Sequence, residues 1–384
     1  MGYLSPEQNF CGRGKVLDIL KKRVLDLKEG YRQNVAILGG RYLGKTALFT
    51  QFLTNLDDEN IVVIYLDLDN KNTNYFITKF IGSLLYNFSK FKRLPLHDDV
   101  NLLIQETLPY IPQTIQQIQE IRQIYAKGQL LEAFSKVLSL PEVFSHETGM
   151  FCVLILDEFQ GLEDFVDDGI FQDLGKKIMT QRKCLYLVSS SYPHLANKIL
   201  SEKLSLLFGN FETVTIEAFD LLTSQEFIES SLGTFKIGAQ MRNFLTDFTG
   251  GHPLYLSLIC QELINLCAIH KQDEVYLPIL SQAVENTIFN RWGVLSRHFE
   301  LMINDLSSGK GNHMHSVILI SLVNGKNKID DLLQDTGLKR NVLVQKVTHL
   351  LELGIIFKNG NVHYFNDKLF KYWIKFIYQK RNRF

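Results

Sequence analysis

The chain has 384 residues, 46% of them hydrophobic, which is enough apolar material for more than one core at the usual domain size of about 100 to 200 residues. Forty-one basic residues stand against forty-one acidic ones, a formal net charge of zero, so no global field steers the protein toward nucleic acid or membrane and any such partner must be met locally. Five cysteines, Cys11, Cys152, Cys184, Cys260 and Cys267, are odd in number and lie mostly in apolar runs without a C-x-x-C pair, the pattern of a reducing, cytoplasmic compartment. The opening Met1-Gly2-Tyr3-Leu4-Ser5-Pro6-Glu7 lacks a basic start and an apolar core. No run approaches the ~18 apolar residues of a membrane span, so a soluble, unprocessed chain is expected.

In chain order, an amphipathic helix is expected over Val16 to Lys28, followed by the apolar strand Val35-Ala36-Ile37-Leu38. Directly after it stands Gly39-Gly40-Arg41-Tyr42-Leu43-Gly44-Lys45-Thr46, and then the helix-like Ala47 to Leu53. This is Gly-x-x-x-x-Gly-Lys-Thr between a strand and a helix, the context a phosphate-binding P-loop requires. Glycines let backbone amides curl around phosphate oxygens, and the following helix points its unsatisfied N-terminal amides at them. Gly39, Gly40, Arg41, Gly44, Lys45, Thr46 and Ala47 are therefore the expected ATP or ADP contacts. Lys45 would reach the β and γ phosphates and Thr46 would offer its hydroxyl to Mg2+.

Ile61 to Leu68 reads as a parallel strand covered on both faces, with a helix over residues 75 to 88. Residues 90 to 127 carry Pro95, Pro109 and Pro112 and an Ile/Gln-rich stretch, Gln113 to Gln123, read as a helical insertion that serves either as packing or as a partner-binding face. Phe151-Cys152-Val153-Leu154-Ile155-Leu156-Asp157-Glu158 is an apolar strand ending in two carboxylates, the Walker B pattern, which brings them to the sheet edge where ligands of open α/β sheets bind. Asp157 would hold Mg2+, and Glu158 would polarise the attacking water as the catalytic base. A further strand, Cys184 to Val188, ends in Ser189-Ser190-Ser191, and Thr213 to Ile216 reads as the last strand.

Residues 220 to 300 read as helices, with Ser224 as a cap and a stop at Gly250-Gly251 ahead of His252-Pro253. Three helices follow, over His315 to Val323, Lys328 to Gln334 and Lys339 to Leu353, and then a hairpin, Ile355 to Phe365, around an Asn-Gly turn. Three helices and a hairpin describe a winged helix-turn-helix. Lys339, Arg340, Asn341, Gln345 and Lys346 on its third helix and Lys358 on the wing are the candidate contacts to double-stranded DNA. The same domain serves equally as a regulatory contact surface. The tail from Lys368 interleaves Lys371, Lys375, Lys380, Arg381 and Arg383 with aromatic residues, a packed helix with a basic stripe.

These motifs together resemble the archaeal-type AAA/STAND ATPases, a branch of the AAA+ superfamily. The resemblance runs from Phe10-Cys11-Gly12-Arg13 through Leu156-Asp157-Glu158-Phe159-Gln160 and Gly251-His252-Pro253 to Asn366-Asp367-Lys368-Leu369-Phe370. It implies a P-loop α/β core with parallel strand order 5-1-4-3-2 over residues 1–219, a helical lid over 220–305 and a winged helix domain over 306–384. It also implies that Arg13 and Pro253 lie against the nucleotide base and that a serine after the fourth strand, Ser190, acts as the γ-phosphate sensor. Two positions depart from the family pattern. Val16 stands where a Glu is usual, and Asn210 stands where an arginine that stabilises phosphoryl charge is usual, leaving Arg182, Arg291, Arg297 or a neighbouring subunit as sources. The expectation is an ATP-Mg2+-dependent switch that hydrolyses slowly. The alternatives are an ATP-regulated DNA-binding protein similar to origin-recognition initiators or transposition regulators, and a nucleotide-binding scaffold for protein partners or self-association. A GTPase and a small-molecule kinase are both disfavoured, the kinase because the Asp-Glu pair suits water attack.

Overall fold

The computed structural model describes residues 10–165, 169–204, 209–306 and 314–381. The expectations placed on residues 1–7 and on Arg383 lie outside the described residues. The chain divides into two compact units, one of Arg13–Gly40 with Lys45–Ile216, the other of Met1–Gly12, Arg41–Gly44 and Glu217–Phe384.

The first unit is built on a five-stranded sheet: β1 (Asn34–Leu38), β2 (Ile61–Asp67), β3 (Phe151–Asp157), β4 (Cys184–Ser190) and β5 (Phe211–Thr215), in the order β2-β3-β4-β1-β5. All neighbours pair in parallel. Read from the other edge this is 5-1-4-3-2, as expected. Every residue of β1 and β4 is buried, which is why Val35 to Leu38 and Cys184 to Val188 run without alternating polar residues: helices cover both faces. The parallel pairing aligns the carboxyl ends of β1, β3 and β4, and that edge carries the site.

Helix Thr73–Lys92 starts at an Asn72 cap, whose side chain accepts from Tyr75 N, and stops at Arg93 in the left-handed region. Four more helices, Val100–Thr107, Pro112–Ala126, Leu130–Val137 and Leu140–Thr148, precede β3, so the helical excursion continues 21 residues past the expected end at 127, arithmetic from Thr148. Ile111, Ile115, Ile118 and Ile121 are fully buried in the same core as Phe76, Phe80 and Phe134, a burial that contributes about 2 kcal/mol per isoleucine. This face therefore packs the core; the isoleucine stripe is not left open for a partner.

The second unit is helical, with a single large core. Helix Leu221–Leu232 is capped by Asp220, and helix Ala239–Thr249 ends at Gly250 with φ of 62°. Helix Pro253–His270 has the length and composition of a membrane span, yet Tyr255, Leu256, Ile259, Cys260 and Leu263 on it are buried in the core of this unit. The core continues across the expected boundary at 305/306: Phe299 packs at a tilt against Phe370 and Trp373 with ring centroids 5.3 and 5.6 Å apart, and Trp373 Nε1 donates to Ser296 Oγ at 2.9 Å. Helices Met314–Val323, Ile329–Thr336 and Arg340–Glu352 are followed by an antiparallel hairpin, Ile356–Asn359 with Val362–Phe365. Asn359 pairs with Val362, so the two turn residues are Gly360 and Asn361, one step beyond the expected Asn-Gly pair. Gly360 has φ of 60°, and glycine at the first central position is what a type II′ turn demands.

Candidate phosphate and metal site

In the first unit, β1 hands the chain to the glycine loop at Gly39. Gly39 N donates to Ser190 O at 3.2 Å and Ile216 N donates to Leu38 O at 2.7 Å. A Cβ on Gly39 would lie 2.4 Å from Ile216 O, so glycine is required where the loop leaves the sheet. Gly44, with φ of 94°, makes the left-handed step that sends the chain into helix Lys45–Thr54. Ala47 lies half-buried in the first turn of that helix, where backbone amides have no intrahelical partner and suit an anion.

Lys45 is only 4% exposed. Its ammonium donates to Gly39 O at 3.0 Å, Gly40 O at 2.9 Å and Ser191 Oγ at 2.8 Å, and Glu158 Oε1 stands 3.9 Å away. Three neutral acceptors hold the charge over its own loop, so phosphate oxygens could take it over by exchange of hydrogen bonds alone.

Asp157 ends β3 and is 1% exposed. Thr46 Oγ1 donates to its Oδ2 at 2.7 Å, Tyr65 OH donates to the same oxygen at 2.9 Å, and Ser189 Oγ donates to Oδ1. Three hydroxyls thus compensate a buried carboxylate that would otherwise be costly. The Tyr65 phenol is pushed well above its ordinary range by desolvation and then by the Asp157 charge, so it remains a donor. At the end of β2, Asp67 pairs in register with Asp157, and its carboxyl is held above the usual carboxylate range by desolvation and by the Asp157 charge.

Glu158 takes a left-handed backbone with φ of 54°. Its Oε2 accepts from Ser191 N at 2.8 Å and from Gln160 Nε2 at 2.8 Å, and its Oε1 accepts from Ser191 Oγ. Gln160 is 8% exposed and its Oε1 is buried without a hydrogen-bond partner. Gly161 follows, where a Cβ would come within 2.2 Å of Leu68 O.

Ser190, the expected sensor, faces elsewhere: its Oγ accepts from Tyr192 N at 3.0 Å and donates to Tyr192 O at 3.4 Å. Its neighbours Ser189 and Ser191 meet Asp157, Glu158 and Lys45: alternation along β4 sends Ser190 to the face opposite Ser189, and Ser191 reaches the site from the bend just past the strand's end. The order of three serines hides that phase in the sequence. Tyr65 and Gln160 were also missed. The signal for Tyr65 is register: it lies two residues before Asp67, on the same face of the strand beside β3. Arg13 is half-buried and heads helix Gly14–Lys28, its carbonyl accepting from Val16 N and Leu17 N. Asn210 accepts from Asn34 N at 3.1 Å, at the amino edge of the sheet, and Arg182 precedes β4 at that same edge.

In the second unit, which includes Arg41 to Gly44, His252 caps helix Pro253–His270 with Pro253 as its first residue. Its Nε2 lies 3.2 Å from Arg41 O, and its ring stacks on Tyr255 at 4.0 Å. Tyr255 OH donates to Asp367 Oδ2, and Tyr42 sets its edge to His298 at 4.9 Å. Gly251 has φ of 69°, and a Cβ there would lie 2.1 Å from Phe219 O. Of the candidate DNA contacts, Lys339, Arg340, Asn341, Gln345 and Lys358 are exposed and Lys346 is half-buried. Arg340 pairs with Asp330 at 3.2 Å. From Lys328 to Glu352, Lys328, Lys339, Arg340 and Lys346 are balanced by Asp330, Asp331, Asp335 and Glu352.

No protein-family model and no curated protein matches the chain. Solved structures do. A Walker-type ATPase of Pyrococcus abyssi superposes with a TM-score of 0.65 at 14% identity, over 97% of this chain and 99% of that one. The ORC2 protein of Aeropyrum pernix, solved as ADPNP and ADP complexes, superposes with a TM-score of 0.59 at 11% identity, over 97% of this chain and 95% of that one. Identities this low carry fold alone: the sheet order and the glycine loop after β1 are those of the AAA+ P-loop ATPase fold.

Proposed function

We propose that this chain binds ATP with Mg2+, hydrolyses it slowly, and works as a nucleotide-dependent switch of the archaeal-type AAA/STAND kind. One observation carries the reading: Thr46, on the loop, and Asp157, on β3, meet in a 2.7 Å hydrogen bond across 111 residues of sequence. The residues fit the metal, since a hydroxyl and a buried carboxylate are the hard oxygen donors Mg2+ prefers. Thr46 and Asp157 would hold it, Asp157 through water. When bound, Mg2+ would neutralise charge on the phosphate oxygens.

Lys45 would trade its two loop carbonyls and Ser191 for phosphate. Ser191 is the shared partner of Lys45 and Glu158, so a change at one is felt at the other, and Ser191 replaces Ser190 in our reading as the sensor. Glu158 has three of its roughly four lone-pair sites engaged by Ser191 and Gln160. A base with one acceptor site left and its charge drawn on by three donors is a weakened one, which supports slow turnover. Asn210 does not bear on turnover at this loop: β5, five residues long, separates it from the loop edge by about 17 Å at ~3.3 Å per residue, so neither an asparagine nor an arginine at 210 serves a phosphate bound by its own loop. Lys45→Ala should abolish nucleotide binding measured with a fluorescent ATP analogue; retained affinity would defeat the proposal.

A second reading is ATP-regulated binding of double-stranded DNA. It is favoured by the winged-helix order of helix Arg340–Glu352 and the following hairpin, with Lys339, Arg340 and Asn341 exposed at the helix start. The charge balance over 328–352 weighs against it, because phosphate contacts dominate DNA affinity. DNA affinity that falls steeply with salt and drops in Lys339→Ala and Arg340→Ala would establish it.

A further inference from the structure

We infer that Tyr65 is a positioning residue for the metal-binding carboxylate, setting the Mg2+ affinity of the site through its hydrogen bond to Asp157. The inference rests on the proposed ATP-Mg2+ reading and deepens it at one residue.

Tyr65 is the third residue from the end of β2, and β2 lies in parallel register beside β3, with Tyr65 opposite Ile155 and Asp67 opposite Asp157. From there the phenol reaches two residues along the neighbouring strand to Asp157 Oδ2 at 2.9 Å. The same oxygen accepts from Thr46 Oγ1. Thr46 is itself an expected metal ligand, so its bond to Asp157 cannot serve as a fixed anchor. Ser189 holds the other oxygen, Oδ1. Tyr65 and Ser189 are thus the two donors that belong to the sheet and not to the loop, and together they fix the plane of the carboxylate. A phenol does this without adding charge, so the anion stays fully available to a cation. Partners of this kind, one shell behind the metal, typically govern metal affinity by roughly 10-fold to 100-fold.

The test uses the full chain, a fluorescent ATP analogue and MgCl2. In Tyr65→Phe, which keeps the ring and removes only the hydroxyl, the Mg2+ concentration that half-saturates metal-dependent nucleotide binding should rise about 10-fold, while affinity without Mg2+ stays at the wild-type value. A weaker Mg2+ response beside unchanged Mg2+-free affinity is a split that a packing role would not produce. Tyr110→Phe, at an exposed tyrosine between helices Val100–Thr107 and Pro112–Ala126, should change neither. If wild type shows Mg2+-dependent binding and Tyr65→Phe shows the same Mg2+ midpoint, the inference is overturned and the ATPase reading stands. If wild type shows no Mg2+-dependent binding, both are overturned.

Discussion

Replacing Glu158 by glutamine separates binding from turnover, and its effect can be worked from the hydrogen bonds. The carboxylate accepts three donors: Ser191 N–H and the Gln160 amide at Oε2, and the Ser191 hydroxyl at Oε1. An amide placed with its oxygen at Oε2 keeps the first two. Its NH2 then faces Ser191 Oγ, whose hydroxyl proton rotates away so that the oxygen accepts both from the new amide and from Lys45 at 2.8 Å. The network survives with one proton reoriented and charge-assisted bonds made neutral, a loss of about 1 kcal/mol. Melting should fall by only about 2 to 4 °C. Nucleotide affinity should stay within a few-fold of wild type, since Lys45 and Thr46 are untouched. Phosphate release should fall by about 100-fold to 10,000-fold, the usual contribution of a positioned base. A coupled phosphate assay beside a binding titration decides it. Turnover within 10-fold of wild type in a variant that still binds ATP would refute the role given to Glu158.

Gly39→Ala should place a Cβ 2.4 Å from Ile216 O, displace the end of β5 and weaken the Ile216 to Leu38 hydrogen bond. A cost of about 2 to 4 kcal/mol should appear as a melting temperature lower by roughly 5 to 10 °C and as loss of nucleotide binding. Tyr255→Phe should remove the donor to Asp367, whose buried carboxyl is already above the usual range through desolvation, and lower stability in urea by about 1 to 3 kcal/mol at neutral pH. Stability should also fall with acid because of His315. This residue is 2% exposed and pushed down to about 4 by desolvation, with Lys346 and His349 adding to it. Its folded value lies below the ordinary 6.5, so the unfolded chain takes the proton first and stability is lost as pH falls from 6.5 toward 4, by about 1 kcal/mol at pH 5.5. His315→Leu should flatten that limb in thermal melts between pH 7.5 and 5.

The two motifs were legible because each is written locally: glycines where backbone must approach phosphate, apolar runs where strands are covered on both faces, carboxylates where a strand ends; the order of the sheet came only with the family resemblance those motifs carry. What the sequence hid is the pairing of residues far apart in it. Tyr65 reads as one more apolar strand residue until register sets it beside Asp157, 92 residues away. Ser191 could not be told from Ser190 because the phase of β4 depends on its neighbours and not on three identical side chains. His252 gave only a position between a helix stop and a proline-started helix, yet its ring stacks on Tyr255, which bonds Asp367, a partner 112 residues on from Tyr255. The Ile-rich helix left two readings open because isoleucines at helical spacing look alike whether a core or a partner covers them.

The left-handed backbone of Glu158 sets a conformational cost against a network of hydrogen bonds. A non-glycine residue at φ of 54° carries a cost of about 1 to 2 kcal/mol that glycine would not, but glycine would also leave the Ser191 N–H, the Ser191 hydroxyl and the Gln160 amide without their acceptor, at about 1 kcal/mol for each lost bond. Selection for thermal robustness alone therefore gives no advantage to emptying position 158, and the strained backbone is held in place by the same carboxylate that would act on water.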